Sequence, residues 1–282
     1  MRTVAYLGPE KTNTHFAARA KFGPRSRYLH APTIEGVFRL VERQEADFGV
    51  VPIENSLEGA VTHTLDRFID FKWSPVEIHG EIDQPIRHYF LARRDTPWRN
   101  IRVVFSHPQA LGQCNRWLSE HYPDAIRRET SSTAEAAAYL LSKERSIVWD
   151  LDQRAAIGRR ELGLEYKLKT IPIPIGRENR TRFLVLGLGN PRSGKHNKTS
   201  VMFAIKDKPG ALYDVLLPFK REKINLTKIE SRPSKQKAWE YIFFIDLEGH
   251  VSEPRVKRAL KALWRRTSNL RVLGSYPRPA ST

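Results

Sequence analysis

The sequence predicts a mixed α/β chain in two parts, a layered α/β region followed by a compact βαββαβ unit. Three observations predict it. Short apolar, β-rich runs alternate with amphipathic stretches over the first 187 residues, the pattern of helices layered around a mainly parallel sheet. The segment Gly189-Asn190-Pro191-Arg192-Ser193-Gly194-Lys195-His196-Asn197 is polar and rich in breakers, as a linker is. After it the periodicity runs strand, helix, strand, strand, helix, strand, which is the ferredoxin-like split βαβ order.

Taken in order, strands are expected over residues 4–7, 48–53, 101–105, 146–149 and 183–186. Helices are expected between them, over 14–21, 33–44, 60–69, 108–121 and 133–141. Such chains often fold as two lobes around a cleft. Crossings near Ile78 and Thr170 would give lobes of roughly 1–77 with 171–188, and 78–170. Residues 1–188 then form one domain, 189–198 the linker and 199–282 a second domain. In the latter, strands fall at 200–205, 226–230, 239–246 and 270–274, with helices at 211–221 and 254–266.

Composition narrows the function. Of 282 residues, 40% are hydrophobic and 10% aromatic, which excludes a mostly disordered chain. The single cysteine, Cys114, excludes an intramolecular disulfide framework and a cysteine-cluster metal site. It reads as a buried small residue, because no partner histidine is identifiable. His15, His63 and His107 lack metal-ligand spacing, so no metal is expected. The opening Met1-Arg2-Thr3-Val4-Ala5-Tyr6-Leu7 breaks at Gly8-Pro9, too early for a signal peptide's apolar core. No run approaches the ~18 apolar residues of a membrane span. A cytoplasmic protein without membrane contact is the expectation.

The formal charge is +17. Residues 198–282 carry 18 Lys+Arg against 8 Asp+Glu, so most of the excess lies there. No RNP, zinc-finger or basic-zipper pattern accompanies it, and pairs such as Lys257-Arg258 and Arg265-Arg266 read as solvated helix faces. Nucleic acid is therefore not an expected partner, whereas attraction of a small anion suits the charge.

Three helix starts share one signal. Asn55-Ser56-Leu57-Glu58, Ser106-His107-Pro108-Gln109 and Ser132-Thr133-Ala134-Glu135 each place a capping residue three positions before Glu or Gln. Gly8-Pro9-Glu10-Lys11-Thr12 forms a fourth turn after a strand. Each alone is an ordinary cap. Together, N-termini gathered at the carboxyl ends of strands suit a small carboxylate or phosphate. Gln113 lies seven residues beyond Ser106, two helical turns on the same side. Asn179-Arg180-Thr181-Arg182-Phe183 puts amide, hydroxyl and guanidinium groups at a strand entry. Gly187-Leu188-Gly189 is half a dinucleotide fingerprint with no helix behind it, so a nucleotide site is not expected.

Read together, these blocks resemble the prephenate dehydratase family over nearly the whole chain. The blocks are Ala5-Tyr6-Leu7-Gly8-Pro9-Glu10, residues 49–56, Ser106-His107-Pro108-Gln109-Ala110-Leu111, residues 132–137, Ala155-Ala156-Ile157 and residues 179–183. The C-terminal part is similar to ACT regulatory domains through Pro209-Gly210-Ala211-Leu212, Glu230-Ser231-Arg232-Pro233, Trp239-Glu240-Tyr241 and Leu273-Gly274-Ser275-Tyr276-Pro277. The resemblance implies a catalytic domain of periplasmic-binding-protein type (type II) that turns prephenate into phenylpyruvate without a cofactor, in phenylalanine biosynthesis. It implies Thr181 as the catalytic residue. Thr12, Asn55, Ser56, Ser106, Gln113, Ser132, Thr133, Asn179, Arg182 and Phe183 are implied as substrate-binding. L-Phenylalanine is implied as a feedback effector at Gly210, Ala211, Leu212, Glu230, Ser231, Arg232 and Pro233, in a homodimer or homotetramer.

The chain also departs from the family pattern. Lys11 stands where a glycine is usual, Asn13 where an aromatic is usual, and Gly158-Arg159 where Ala-Ser is usual. Two other readings follow: an arogenate dehydratase, and a catalytically silent phenylalanine sensor.

Overall fold

The structure is a computed structural model that describes residues 1–70, 74–143, 148–176, 178–191, 193–205, 208–234 and 240–279. The chain opens with β1 (Thr3–Leu7), α1 (Asn13–Phe22), β2 (Arg27–Ala31), α2 (Ile34–Glu42), β3 (Phe48–Asn55), β4 (Gly59–Ala60) and α3 (Thr62–Asp70). Next come β5 (Val76–Pro85), β6 (Tyr89–Ala92), β7 (Val103–Ser106), α4 (Pro108–Gln113), α5 (Asn115–His121) and β8 (Ile126–Glu129). α6 (Thr133–Tyr139), β9 (Arg154–Gly158), α7 (Arg160–Glu165), β10 (Lys169–Pro172) and β11 (Arg180–Leu188) follow. The last part holds β12 (Asn197–Ala204), α8 (Ala211–Arg221), β13 (Leu226–Pro233), β14 (Tyr241–Glu248), α9 (Pro254–Trp264) and β15 (Ser268–Pro277).

Contacts divide the chain into two units. One contains residues 1–7, 17–83 and 182–282; the other contains 8–16 and 84–181. The chain thus passes between units at 7/8 and 16/17 as well as at 83/84 and 181/182, the last two later than the hydrophobic pattern alone suggests, and the C-terminal domain shares a unit with the first lobe.

The first unit carries the sheet β2-β1-β3-β11-β5, with β4 hairpinned onto β3. Both faces of this sheet are buried, as expected for an unbroken apolar strand. Ala5 belongs to one core cluster with Val37, Phe38 and Leu186, while its neighbours Val4 and Tyr6 belong to another with Ala17, Val50 and Phe183. α2 starts where Thr33 accepts a hydrogen bond from Gly36 N at 3.0 Å, and it turns Val37, Phe38 and Val41 inward.

The second unit carries the sheet β10-β6-β9-β7-β8. It alternates in the same way. Phe90, Val104, Ala155 and Ile157 pack on one side, and Leu91, Val103, Phe105 and Ala156 on the other. This second sheet is less parallel than expected. β7 runs parallel to β8 and β9, but β6 is antiparallel to both β9 and β10.

Several expected elements change. The helix over 108–121 breaks at Cys114 into α4 and α5. The helix over 60–69 starts at Thr62, because Gly59–Ala60 pairs with β3. Of the strand expected over 146–149, residues 146 and 147 lie outside the described residues, and Val148 and Trp149 are not strand. β9 takes that place in the sheet.

The C-terminal domain has the βαββαβ order and the antiparallel sheet β13-β14-β12-β15. α8 and α9 cover one face, against Val201, Phe203, Ile245 and Leu247. The opposite face is not left to solvent. Met202, Phe244, Leu273 and Tyr276 join the core of the first lobe with Ile78 and Leu184. Trp239, from one of the ACT-like blocks, lies outside the described residues. Among the described residues, no helix is long and apolar enough to cross a membrane.

Candidate active site

In the second unit the structure joins two of the expected substrate residues directly. Asn179 Nδ2 donates to Gln113 Oε1 at 2.8 Å, and His88 Nε2 lies 2.7 Å from the same oxygen. Burial lowers the His88 pKa against a weaker opposing bond from Gln113, so its ring is neutral and donates. Two donors on one oxygen fix which end of the Gln113 amide is the carbonyl. Asn179 O accepts from Ile86 N at 2.8 Å, so backbone and side chain both hold Asn179 in place. Sequence reasoning passed over His88, which has no spacing motif; its proximity to Gln113 comes from α4 following β7.

Ser106 is placed otherwise than the capping pattern suggests. It is the last residue of β7, fully buried, and its Oγ donates to Ile157 O at 2.8 Å. The cap of α4 is His107, whose Nδ1 accepts from Gln109 N at 3.3 Å. Ser106 is therefore outside the helix and does not share a helical face with Gln113; its hydroxyl ties β7 to β9. Ser132 does cap α6, accepting from Glu135 N at 3.1 Å. Thr133 is the first residue of that helix. Glu135 reaches back to Ser131 N at 2.7 Å, and this bonding with Ser131 holds its carboxyl below the usual range.

The Gly8 to Asn13 turn also belongs to this unit. Thr12 Oγ1 donates to Pro9 O at 3.0 Å. Lys11 has φ 66°, a left-handed conformation for which glycine is the ordinary choice. Its Nζ lies 3.0 Å from Glu165 and donates to Tyr166 Oη at 3.1 Å. Asn13 Oδ1 accepts from Arg159 Nη1 at 3.1 Å, and Arg159 also pairs with Glu161 at 3.2 Å. Cys114 is buried in the apolar core of this unit, and burial pushes its thiol pKa up to about 12. It is no nucleophile.

In the first unit, Asn55 does not open a helix. Its Oδ1 accepts from Leu57 N at 3.0 Å and Glu58 N at 3.3 Å, which closes the turn between β3 and β4 and presents Ser56 at its tip. Arg182 Nη1 donates to Glu54 at 2.9 Å, and its Nε lies 3.8 Å from Glu81. Burial opposes its charge, but Glu81, Glu54, Asp246 and Asp83 together hold its pKa above the usual value. The Phe183 ring is 1% exposed in the core with Tyr6 and Val50, where it anchors β11. Thr181, the second residue of β11, is half-buried like Arg180 and Arg182 on either side of it, and full burial begins at Phe183.

The expected effector residues divide by strand geometry. Gly210 caps α8 at φ 77°, a glycine conformation, with Ala211 and Leu212 opening the helix. Along β13, Glu230 and Arg232 are half-buried, while Ser231 and Pro233 are exposed. Arg232 makes a two-pronged pair with Asp66 of α3, at 3.0 and 3.3 Å.

Comparison with known proteins gives the family. The prephenate dehydratase sequence model matches residues 4–190, and the ACT domain model matches residues 199–265. A bifunctional chorismate mutase/prephenate dehydratase of Aquifex aeolicus is 45% identical over 277 residues, 98% of this chain and 73% of that protein. A prephenate dehydratase of Amycolatopsis methanolica is 37% identical over 283 residues, 99% of this chain and 89% of that protein. The crystal structure of prephenate dehydratase in complex with L-Phe from Arthrobacter aurescens aligns with TM-score 0.85 and 33% identity. It covers 98% of this chain and 90% of that one. With similarity running through both domains, the chain belongs to the prephenate dehydratase family.

Proposed function

We propose that this chain converts prephenate to phenylpyruvate and is inhibited by L-phenylalanine bound at its ACT domain. The reaction consumes one proton: prephenate loses its ring carboxylate as carbon dioxide and its hydroxyl as water, and the ring becomes aromatic. Aromatisation drives it, so the protein's task is to orient both groups and assist the departing hydroxide. A threonine hydroxyl is too weak an acid to protonate freely, so Thr181 hydrogen-bonds the departing oxygen or relays a proton to it. Gln113 and Asn179, fixed to each other, and Arg182 serve as oriented donors to the anionic substrate. Ser132 and Thr133 at the α6 start suit a carboxylate.

The observation that carries this reading is the Asn179–Gln113 bond beside an intact Thr181-Arg182-Phe183 motif. The departures from the family pattern do not argue for a silent sensor. Lys11, Asn13 and Arg159 are paired within their own unit, with Glu165, Arg159 and Glu161 respectively. Effector binding is supported by the Arthrobacter aurescens protein's L-Phe complex and by the matching domain here. A cytoplasmic homo-oligomer joined through the ACT domains is part of the proposal, supported by exposed Leu212, Tyr213, Ile229 and Tyr241.

The test is phenylpyruvate formation from prephenate by the purified chain, with and without L-phenylalanine, with arogenate as competing substrate. Thr181→Ala is expected to lower kcat about 10²–10³-fold with folding retained. Full activity in that variant removes Thr181 from the mechanism, and preference for arogenate overturns the substrate assignment.

A further inference from the structure

The Leu273-Gly274-Ser275-Tyr276-Pro277 block has no role in the reading above, yet it packs directly against the first lobe. Opposite Ser200 and Val201 the pairing of β12 with β15 skips a residue: Ser200 faces Gly274 and Val201 faces Val272. This bulge breaks the alternation of β15, so Leu273 and Tyr276, three apart, both face the first lobe. Gly274 lies so close to β5 that an added Cβ would sit 2.2 Å from Ile78 O.

Beside that contact lies a buried charged cluster. Lys198 Nζ donates to both oxygens of Glu81 at 2.9 Å, with side-chain exposures of 4% and 2%. Tyr276 Oη, fully buried, donates to Glu81 Oε1 at 3.1 Å and lies 2.8 Å from Ser200 Oγ. Ser200 donates to Asp246 at 2.6 Å, and Asp246 lies 3.5 Å from Lys198. On the lobe side, Arg182 stands between Glu81 and Glu54, and Lys228 of the ACT domain lies 3.5 Å from Glu54. Three cations thus face three carboxylates, a balance without which such burial would be prohibitive. Glu81 and Arg182 sit on β5 and β11, the strands that pass into the other unit at 83/84 and 181/182.

We infer that Glu81 is a positioning residue for Arg182, and that Lys198 and Tyr276 hold Glu81 in place for it. The ACT domain is then part of the structure that the uninhibited reaction needs, in addition to any effector role. Glu81 could have been satisfied by a lobe residue alone; instead its two closest partners come from 117 and 195 residues away, both in the ACT domain. Removing either partner leaves the Glu81 carboxylate under-paired and draws Arg182 toward it and away from Glu54, whereas removing the Glu81 charge releases Arg182 toward Glu54. Displacing the Arg182 guanidinium moves a group that the reading above assigns to the substrate and loosens the strand beside Thr181.

The inference rests on the dehydratase reading, and its test separates the two. In the full chain, Glu81→Gln and Lys198→Met are expected to lower kcat about 10- to 100-fold with the protein folded, while KM changes less. Tyr276→Phe, which keeps the ring, is expected to show the same split with a smaller fall. Asp66→Asn removes a different contact between ACT domain and lobe and is expected to leave kcat within about twofold, as docking alone would require. Turnover in Glu81→Gln and Lys198→Met equal to that in Asp66→Asn overturns the inference. If the unaltered chain forms no phenylpyruvate, the functional reading fails, and amide hydrogen exchange decides the inference. Exchange at residues 182–184 should then rise about tenfold or more in Lys198→Met and not in Asp66→Asn. Unchanged exchange overturns it.

Discussion

Replacing Gly274 with alanine tests the ACT-to-lobe contact by sterics alone. The new Cβ would meet Ile78 O at 2.2 Å and Ile78 C at 2.9 Å, and both are backbone atoms. Against ordinary contacts of about 3.5 Å, the first shortfall exceeds roughly 1 Å. No side chain can swing away to absorb it. β15 is paired along its length with β12, and β5 with β11, so one pair must part from the other. Overpacking costs about 1–3 kcal/mol, and a clash between two sheet backbones belongs at about 3. For a chain somewhat longer than the 150–250 residues that lose about 2–4 °C per kcal/mol, the melting temperature should fall by roughly 5–10 °C. Gly112→Ala is the matched control. It lies within α4 with nothing within 4 Å of its added Cβ, so it should stabilise by about 0.5–1 kcal/mol. Differential scanning calorimetry reads both. A Gly274→Ala protein melting within about 1 °C of the unaltered chain would refute the steric reasoning, as would an equal fall in Gly112→Ala.

Other outcomes follow from single environments. Cys114, with its thiol pKa pushed up to about 12, should resist a disulfide reagent at pH 8 and react fully once the chain is unfolded. Prompt labelling of the native protein would contradict its burial. His88 has a folded pKa below its unfolded value, so the unfolded chain binds the extra proton. Stability should therefore fall as pH drops below about 6.5, and urea titrations of His88→Gln should show a shallower fall over that window. Glu135, held below the usual carboxylate range, contributes stability at neutral pH that is lost only as the pH falls through the more acidic carboxylate range. Asp66→Asn should lower stability by about 1–2 kcal/mol, because the pair with Arg232 is partly exposed, and Arg232→Lys should do nearly the same since lysine cannot fork.

What the sequence disclosed of the fold follows how strongly each strand is buried. β1 and β3 are continuous apolar runs because both sheet faces are covered, and they are legible. β8 is Ile126-Arg127-Arg128-Glu129, exposed at every position on the sheet edge, and carries no apolar run. β9 is wholly buried but built from Ala155, Ala156 and Ile157 beside Arg154, too small a run to distinguish from a helix. Arg154 itself is 4% exposed and holds Trp149 O, Tyr139 O and Ser142 O, a partnership that no spacing rule encodes. At the site, the capping pattern located Ser132 correctly but put Asn55 and Ser106 one element away from their actual duties. The same four-residue signal serves a helix, a β-turn or a strand end, according to what the next residues can pair with. Glu81 was invisible because its value depends on partners more than a hundred residues distant.

The three departures from the family pattern show how a loop can change while its unit keeps its shape. Lys11 in a left-handed conformation costs about 1 kcal/mol relative to glycine. Against that, its ammonium pairs with Glu165 and lies 4.2 Å from the Tyr166 ring centre. A half-exposed ion pair and a cation–π contact contribute about 0.5–1 kcal/mol each, enough to offset the strain. Asn13 and Arg159 are 146 residues apart, yet the amide of one accepts from the guanidinium of the other, and that guanidinium lies 5.0 Å from the Phe16 ring centre. An aromatic at 13 would offer Arg159 no acceptor, and a serine at 159 would leave the Asn13 amide without this donor. The two changes are therefore explained better as one, and Lys11 as its companion: all three fasten the Gly8 to Asn13 turn to the α7 end of the second unit through polar contacts. Thr12, between Lys11 and Asn13, is held by that fastening on both sides.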